Sequence, residues 1–126
     1  MTKSRQALGR WGENLAADYL ARRGYAILGQ NVRTPYGEID LVAQQETRAG
    51  PVTVFVEVKT RSSTAYGLPE DAIDRRKRDH LLSAAQHHLM EHPELSGDWR
   101  VDVVAIRRFR SKRSPQITHF ENALSE

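Results

Sequence analysis

Three residues carry the chemistry that stands out first: Asp40, Glu57 and Lys59. Asp40 lies inside Gly37-Glu38-Ile39-Asp40-Leu41-Val42-Ala43, and the other two close Val52-Thr53-Val54-Phe55-Val56-Glu57-Val58-Lys59. Both stretches are rich in β-branched residues that alternate with others, which predicts two strands. Gly50-Pro51 and the polar run from Gln44 predict a hairpin with a long loop between them. Successive strand side chains point to opposite faces. Val52, Val54, Val56 and Val58 then share a core-facing side, against Thr53, Phe55, Glu57 and Lys59. In the first strand Glu38, Asp40 and Val42 oppose Ile39, Leu41 and Ala43. A charge inside an apolar strand is costly unless something pairs with it. If the strands are neighbours, Asp40, Glu57 and Lys59 converge on one spot. Two carboxylates suit a hard divalent cation, which takes oxygen ligands and is completed by substrate phosphate. The lysine then orients or activates an attacking water, or offsets charge growing on the phosphate. The plainer reading is a structural salt bridge from Lys59 to Asp40 or Glu57. The second carboxylate, embedded in its own apolar strand, tips the balance towards a site.

Those strands need elements around them. Ser4 to Arg23 reads as an amphipathic helix, with Leu8, Trp11, Leu15, Tyr19 and Leu20 at three- and four-residue spacing and Gly24 to end it. Glu13 sits beside that stripe; spacing alone makes it an exposed helix acid. Tyr25 to Arg33 reads as a strand bent or interrupted at Gly29, and Thr34-Pro35-Tyr36-Gly37 as a turn. Arg33 either meets a phosphate or is solvated. Arg61 to Pro69 is a polar loop after Lys59, either a connector or a set of phosphate contacts led by Arg61, whose guanidinium suits bidentate binding. Pro69 opens a second helical region, with Glu70, Asp71 and Asp74 near its start and Pro93 as its stop. Leu81, Ala85, His88 and Leu89 form its buryable stripe. Lys77, one turn before Leu81, is either a surface lysine or a reach towards the site. Trp99 to Ile106 is a third strong strand, in which Asp102 either pairs with an arginine, caps the neighbouring helix or assists the site, the structural role being the favoured one. Arg107 to Ser114 reads as a basic loop, Pro115 to Phe120 as a short last strand, and Glu121 to Glu126 as a frayed helical end.

Composition sets bounds. The 126 residues make one domain, 1–126, able to bury a core. No cysteine is present, which excludes disulfides and thiolate metal sites and fits a cytoplasmic setting. No apolar segment follows the basic N-terminus as in a secretory signal, and none approaches the roughly 18 residues of a membrane span. Lysine and arginine exceed acids by only 19 to 16, but they cluster, as Arg75-Arg76-Lys77-Arg78 and as Arg107, Arg108, Arg110, Lys112 and Arg113. A lone cluster is usually a solvated face; two beside a candidate metal site point towards phosphate backbones. His88 and His92 are four apart, like paired zinc ligands, but no third ligand is evident among His80, His87 and the rest. No Gly-x-Ser-x-Gly string supports a serine nucleophile.

Asp40 followed by Glu57-Val58-Lys59 resembles the PD-(D/E)xK nuclease superfamily, with Ile39 where the superfamily's name has proline. The fuller strings, Gly37 to Ala43 and Val54 to Arg61, resemble the bacterial YraN-like family, described as endonucleases, over nearly the whole chain. The resemblance implies a restriction-endonuclease-like core. That agrees with the order helix, three strands, helix, two strands, an α/β fold with a mixed sheet flanked by helices. It implies metal ligation by Asp40 and Glu57, with the Val58 carbonyl. It also implies that Glu13 completes the acidic cluster, as a first-helix glutamate does in Holliday-junction resolvases.

The expected function is a Mg²⁺- or Mn²⁺-dependent endonuclease acting on branched or otherwise structured DNA, in repair or recombination. Arg33, Arg61, Arg75, Arg76, Lys77 and Arg78 would hold the backbone. The alternative is a catalytically silent module that binds nucleic acid within a repair complex; a weaker one is a basic face for an acidic protein. A homodimer would ease paired cuts. No membrane role is expected.

Overall fold

The computed structural model describes residues 3–62, 74–109 and 114–124. Its elements run α1 (Lys3–Arg22), β1 (Ala26–Thr34), β2 (Gly37–Thr47), β3 (Gly50–Ser62), α2 (Arg75–Glu91), β4 (Trp99–Arg108) and β5 (Gln116–Phe120). The strands form one sheet in the order β1-β2-β3-β4-β5. All neighbours are antiparallel except β3 and β4, which are parallel. A parallel pair needs a crossover, and α2 supplies it. This is the mixed, helix-flanked α/β sheet that the sequence predicts, consistent with a restriction-endonuclease-like core.

The alternation of β3 builds both halves of the core. Val54 and Val56 pack with Leu41, Ala43, Val104 and Ile106 beneath Ala16 and Leu20 of α1. Phe55 faces the other way, with Ile39, Val42 and Val101 beneath Ala84 and Ala85 of α2. Gly24 closes α1 at a φ of +91°, a left-handed conformation that costs glycine little. Asp74 is the N-cap of α2, accepting from the Lys77 N–H at 2.8 Å. The expected helix opening at Pro69, with Glu70 and Asp71, lies outside the described residues. So do most of the loop after β3 and the basic residues 110–113.

Three expectations change. Gln44 to Pro51 is not a long loop: β2 continues to Thr47, pairs with Gly50, and turns through Arg48 and Ala49 alone. Thr47 Oγ1 donates to the Gly50 carbonyl at 2.7 Å and accepts from the Ala49 N–H at 3.2 Å. Thr34 makes the same two bonds across the β1–β2 turn. The facing assignment in β2 also fails at one residue: Ile39 packs with Val42 on the α2 side, whereas Leu41 and Ala43 face α1. The alternation breaks at Asp40, just where the β2–β3 pairing begins at Leu41 and Val56. Finally, Glu121 to Leu124 form a turn rather than a helical end. The Ala123 N–H donates to the Val101 carbonyl at 2.8 Å and ties the segment back on β4. The predicted interruption of β1 is real, a register shift between Ile27 and Gly29. No helix of the described residues is long and apolar enough to cross a membrane.

Candidate active site

The break in β2 points Asp40 at β3. Its Oδ2 accepts the Val58 N–H at 2.8 Å, so a carboxylate stands where a strand carbonyl would otherwise pair. Irregularities of this kind re-aim side chains and are common beside active sites. Glu57, 4% exposed, comes off the α2 side of β3. Lys59 Nζ lies 3.2 Å from Glu57 Oε2, and Lys77 Nζ, from the first turn of α2, lies 3.4 Å from the same oxygen. The N-cap at Asp74 fixes where α2 starts and therefore where Lys77 arrives. Burial, then the neighbouring Glu57 and Glu13 charges, push the Asp40 carboxyl up to about 8, against the pull of the Val58 N–H.

A second set of acids approaches from the other side. One oxygen each of Glu13, Glu38 and Asp40 lie within 4.8 Å of one another. Glu13 reaches in because α1 presses close to β3 at Gly12, where any Cβ would collide with the Thr60 side chain. Asn31 Nδ2 donates to Glu13 Oε1 at 2.9 Å and to Glu38 Oε1 at 3.2 Å. Beside it, Gln30 Nε2 donates to Asn14 Oδ1 at 2.8 Å. Among the described residues, this is the one group of three or more histidine and acid donors that closes on a point. Oxygen donors at this spacing suit a hard divalent cation.

Asp40, Glu57, Lys59 and Glu13 thus come together, and Lys77 joins them. Val58 meets the group through its N–H. Of the expected backbone-binding residues, Arg33 is exposed beside the cluster, its Nε 4.0 Å from Glu38 Oε2. Arg75 and Arg76 are exposed on the first turn of α2, next to Lys77. Arg78 is half-buried there. Arg61 belongs to β3 rather than to the following loop, and its Nη1 donates to the Thr60 carbonyl at 3.0 Å. Two members escaped sequence reasoning. Glu38 shares the predicted face of Asp40, a usable signal; Asn31 offers none beyond its polarity.

Asp102 lies on the opposite, α1-facing side of the sheet. It is fully buried, takes Arg100 Nε at 2.9 Å and the Asn122 N–H at 2.8 Å, and has His119 Nε2 at 2.8 Å. Burial opposes its charge, yet the bonds from His119, Arg100 and Asn122 hold its carboxyl below the usual range. The structural role expected of it, with an arginine partner, is what it has. His88 of α2 stands edge-on to Phe55 and stacks on the C-cap His92 at 4.0 Å, whereas His80 is exposed.

Residues 12–106 match the model of the uncharacterised protein family UPF0102. A UPF0102 protein of Syntrophotalea carbinolica is 42% identical over 123 residues, 98% of this chain and 95% of its own length. One from Syntrophomonas wolfei is 45% identical over 116 residues, covering 92% of this chain and 96% of its own. A third, from Roseiflexus castenholzii, is 41% identical over 127 residues, covering 100% and 99%. Likeness at this level over essentially full length on both sides leaves one conclusion: the chain belongs to the UPF0102 family, the YraN-like family that its two strand strings resemble.

Proposed function

We propose that the protein is a divalent-cation-dependent endonuclease that hydrolyses phosphodiester bonds in branched or otherwise structured DNA. The observation that carries this reading is the convergence of Asp40, Glu57 and Lys59, with the Asp40 carboxyl pushed up to about 8. A divalent cation would relieve the burial and repulsion that hold the Asp40 carboxyl up beside Glu57 and Glu13, and an all-oxygen donor set fits Mg²⁺ or Mn²⁺. Asp40, Glu13 and Glu38 would hold it, with Glu57 and the Val58 carbonyl as further donors. Such a cation polarises a phosphoryl oxygen and makes water a better nucleophile.

The chain's own residues do the rest. The Val58 N–H fixes the Asp40 carboxylate. Lys59, kept in place by Glu57, faces the charge that grows on the phosphoryl oxygens as water attacks phosphorus and the bond to the leaving oxygen breaks. It also orients that water, whose proton passes to solvent while the leaving oxygen takes one up. Arg33, Arg75, Arg76 and Lys77 supply a positive rim for the backbone. Contacts of this kind go to the backbone and carry no base sequence, so discrimination by them rests on DNA shape.

One observation favours a second reading, the silent DNA-binding module. Glu57 Oε2 already has two ammonium partners, Lys59 and Lys77. A glutamate so engaged can serve as a structural ion pair. Cleavage of supercoiled plasmid, linear duplex, single strand, flap and four-way junction, with Mg²⁺, Mn²⁺ or chelator, separates the two. Cutting that needs the cation and is lost in Asp40→Ala and Lys59→Ala supports the nuclease. No cutting, with salt-sensitive binding kept by both variants, supports the module.

A further inference from the structure

Asn31 lies on β1 with a φ of +54°, in the left-handed region that asparagine tolerates better than most residues. Glycine would meet that backbone need more easily, so the side chain has its own use. A carboxamide NH₂ has two donors. Asn31 spends them on two carboxylates from two different elements: Glu13 of α1 at 2.9 Å and Glu38 of β2 at 3.2 Å. These acids repel each other, and each has an oxygen within 4.8 Å of the other and of Asp40. A lysine at this point would cancel their charge. A neutral amide fixes their positions and leaves the charge in place. Partners of this kind, behind the ligands, tune metal affinity in many proteins.

We infer that Asn31 is a positioning residue: its carboxamide clamps Glu13 to Glu38 and sets the spacing of the acids for a divalent cation. This rests on the cation site proposed above. The neighbouring bond from Gln30 to Asn14 joins the same strand to the same helix without touching the acids. It therefore provides the control for mere attachment of β1 to α1.

The test is Mn²⁺ titration, followed by calorimetry and by cleavage rate, on native protein, Asn31→Gly and Gln30→Ala. Glycine keeps the left-handed backbone and deletes the clamp alone, and thermal melts in chelator check that each variant is folded. Asn31→Gly is expected to bind Mn²⁺ about 10- to 100-fold more weakly. Its cleavage rate at saturating Mn²⁺ should return to within about threefold of native, a split that lost stability does not produce. Gln30→Ala should bind as native does. Native-like Mn²⁺ affinity in Asn31→Gly would overturn the clamp and leave the cation reading standing. Equal weakening in Gln30→Ala would also overturn it, since attachment of β1 would then be the cause. Native protein that binds no Mn²⁺ would overturn both.

Discussion

Asp40 is held where its charge is unwelcome, and that has a stability cost with a definite sign. Its carboxyl stays protonated in the folded protein up to about 8, while the unfolded chain ionises near the ordinary value of 3.8. The folded state therefore binds the extra proton across that window. The contribution to stability is full below 3.8 and is lost as pH rises through about 8. Asn mimics the protonated acid: its oxygen can still accept from Val58 and its amide can donate to Glu57. In chelator, Asp40→Asn should be more stable than native protein by about 1 kcal/mol or more at pH 9. The gap should be smaller at pH 6, as read by urea melts, and a native protein that is the more stable at pH 9 would contradict this. At this scale Asp40, Glu57 and Lys59 were legible because charge inside an apolar strand is conspicuous. Glu38 was legible only as a neighbour on the same face. Asn31 was not, because its role depends on a backbone conformation and on two acids brought in from other elements.

Element geometry explains why the acids meet. The close approach of α1 to β3 needs the missing Cβ at Gly12. Gly12→Ala forces the Thr60 side chain or the helix to move, at a cost of about 1–3 kcal/mol by thermal melt. It also displaces Glu13, which follows directly in α1. A variant as stable as native would show that the contact is not tight. On the far side of the sheet, Asp102 joins β4 to the turn after β5 through Arg100, His119 and Asn122. Asp102→Ala leaves buried partners unpaired and should cost about 3–5 kcal/mol. DNA binding per folded molecule should be unchanged; a loss would place Asp102 in the site's machinery. The parity of β3 and β4 was readable from their valines. The extension of β2 to Thr47 was not. Gln44 to Thr47 lie towards the exposed hairpin end, where no core face imposes an apolar pattern and a threonine–glycine turn does the work of an expected loop.

Over the whole molecule the net charge is only +3, so arrangement decides what a polyanion meets. Arg75 and Arg76 open α2 beside Lys77, and Arg33 stands next to Glu38. Binding to junction DNA in chelator should weaken steeply with salt. Replacing Arg75 and Arg76 together by alanine should reduce the slope of log affinity against log salt by about 1.8. Fluorescence anisotropy reads this directly, and an unchanged slope would remove both from the interface. The mixed sheet, with a parallel pair joined through α2, followed from a helix between two strong strands; the order of the five strands across the sheet did not. The run at 110–113, the second part of the basic pattern, lies outside the described residues.

The measurement that bears most directly on the central claim is calorimetric titration of Mn²⁺ into the native protein and Asp40→Asn. It would be run at pH 6, 7 and 9 in buffers of different ionisation enthalpy. A cation that takes the place of the Asp40 proton binds about tenfold more tightly for each pH unit gained below about 8. It releases close to one proton at pH 7 and almost none at pH 9. That result, with binding abolished in Asp40→Asn, is what a cation site at this acidic cluster predicts. Binding that is absent, or the same in both proteins and at every pH, would contradict it.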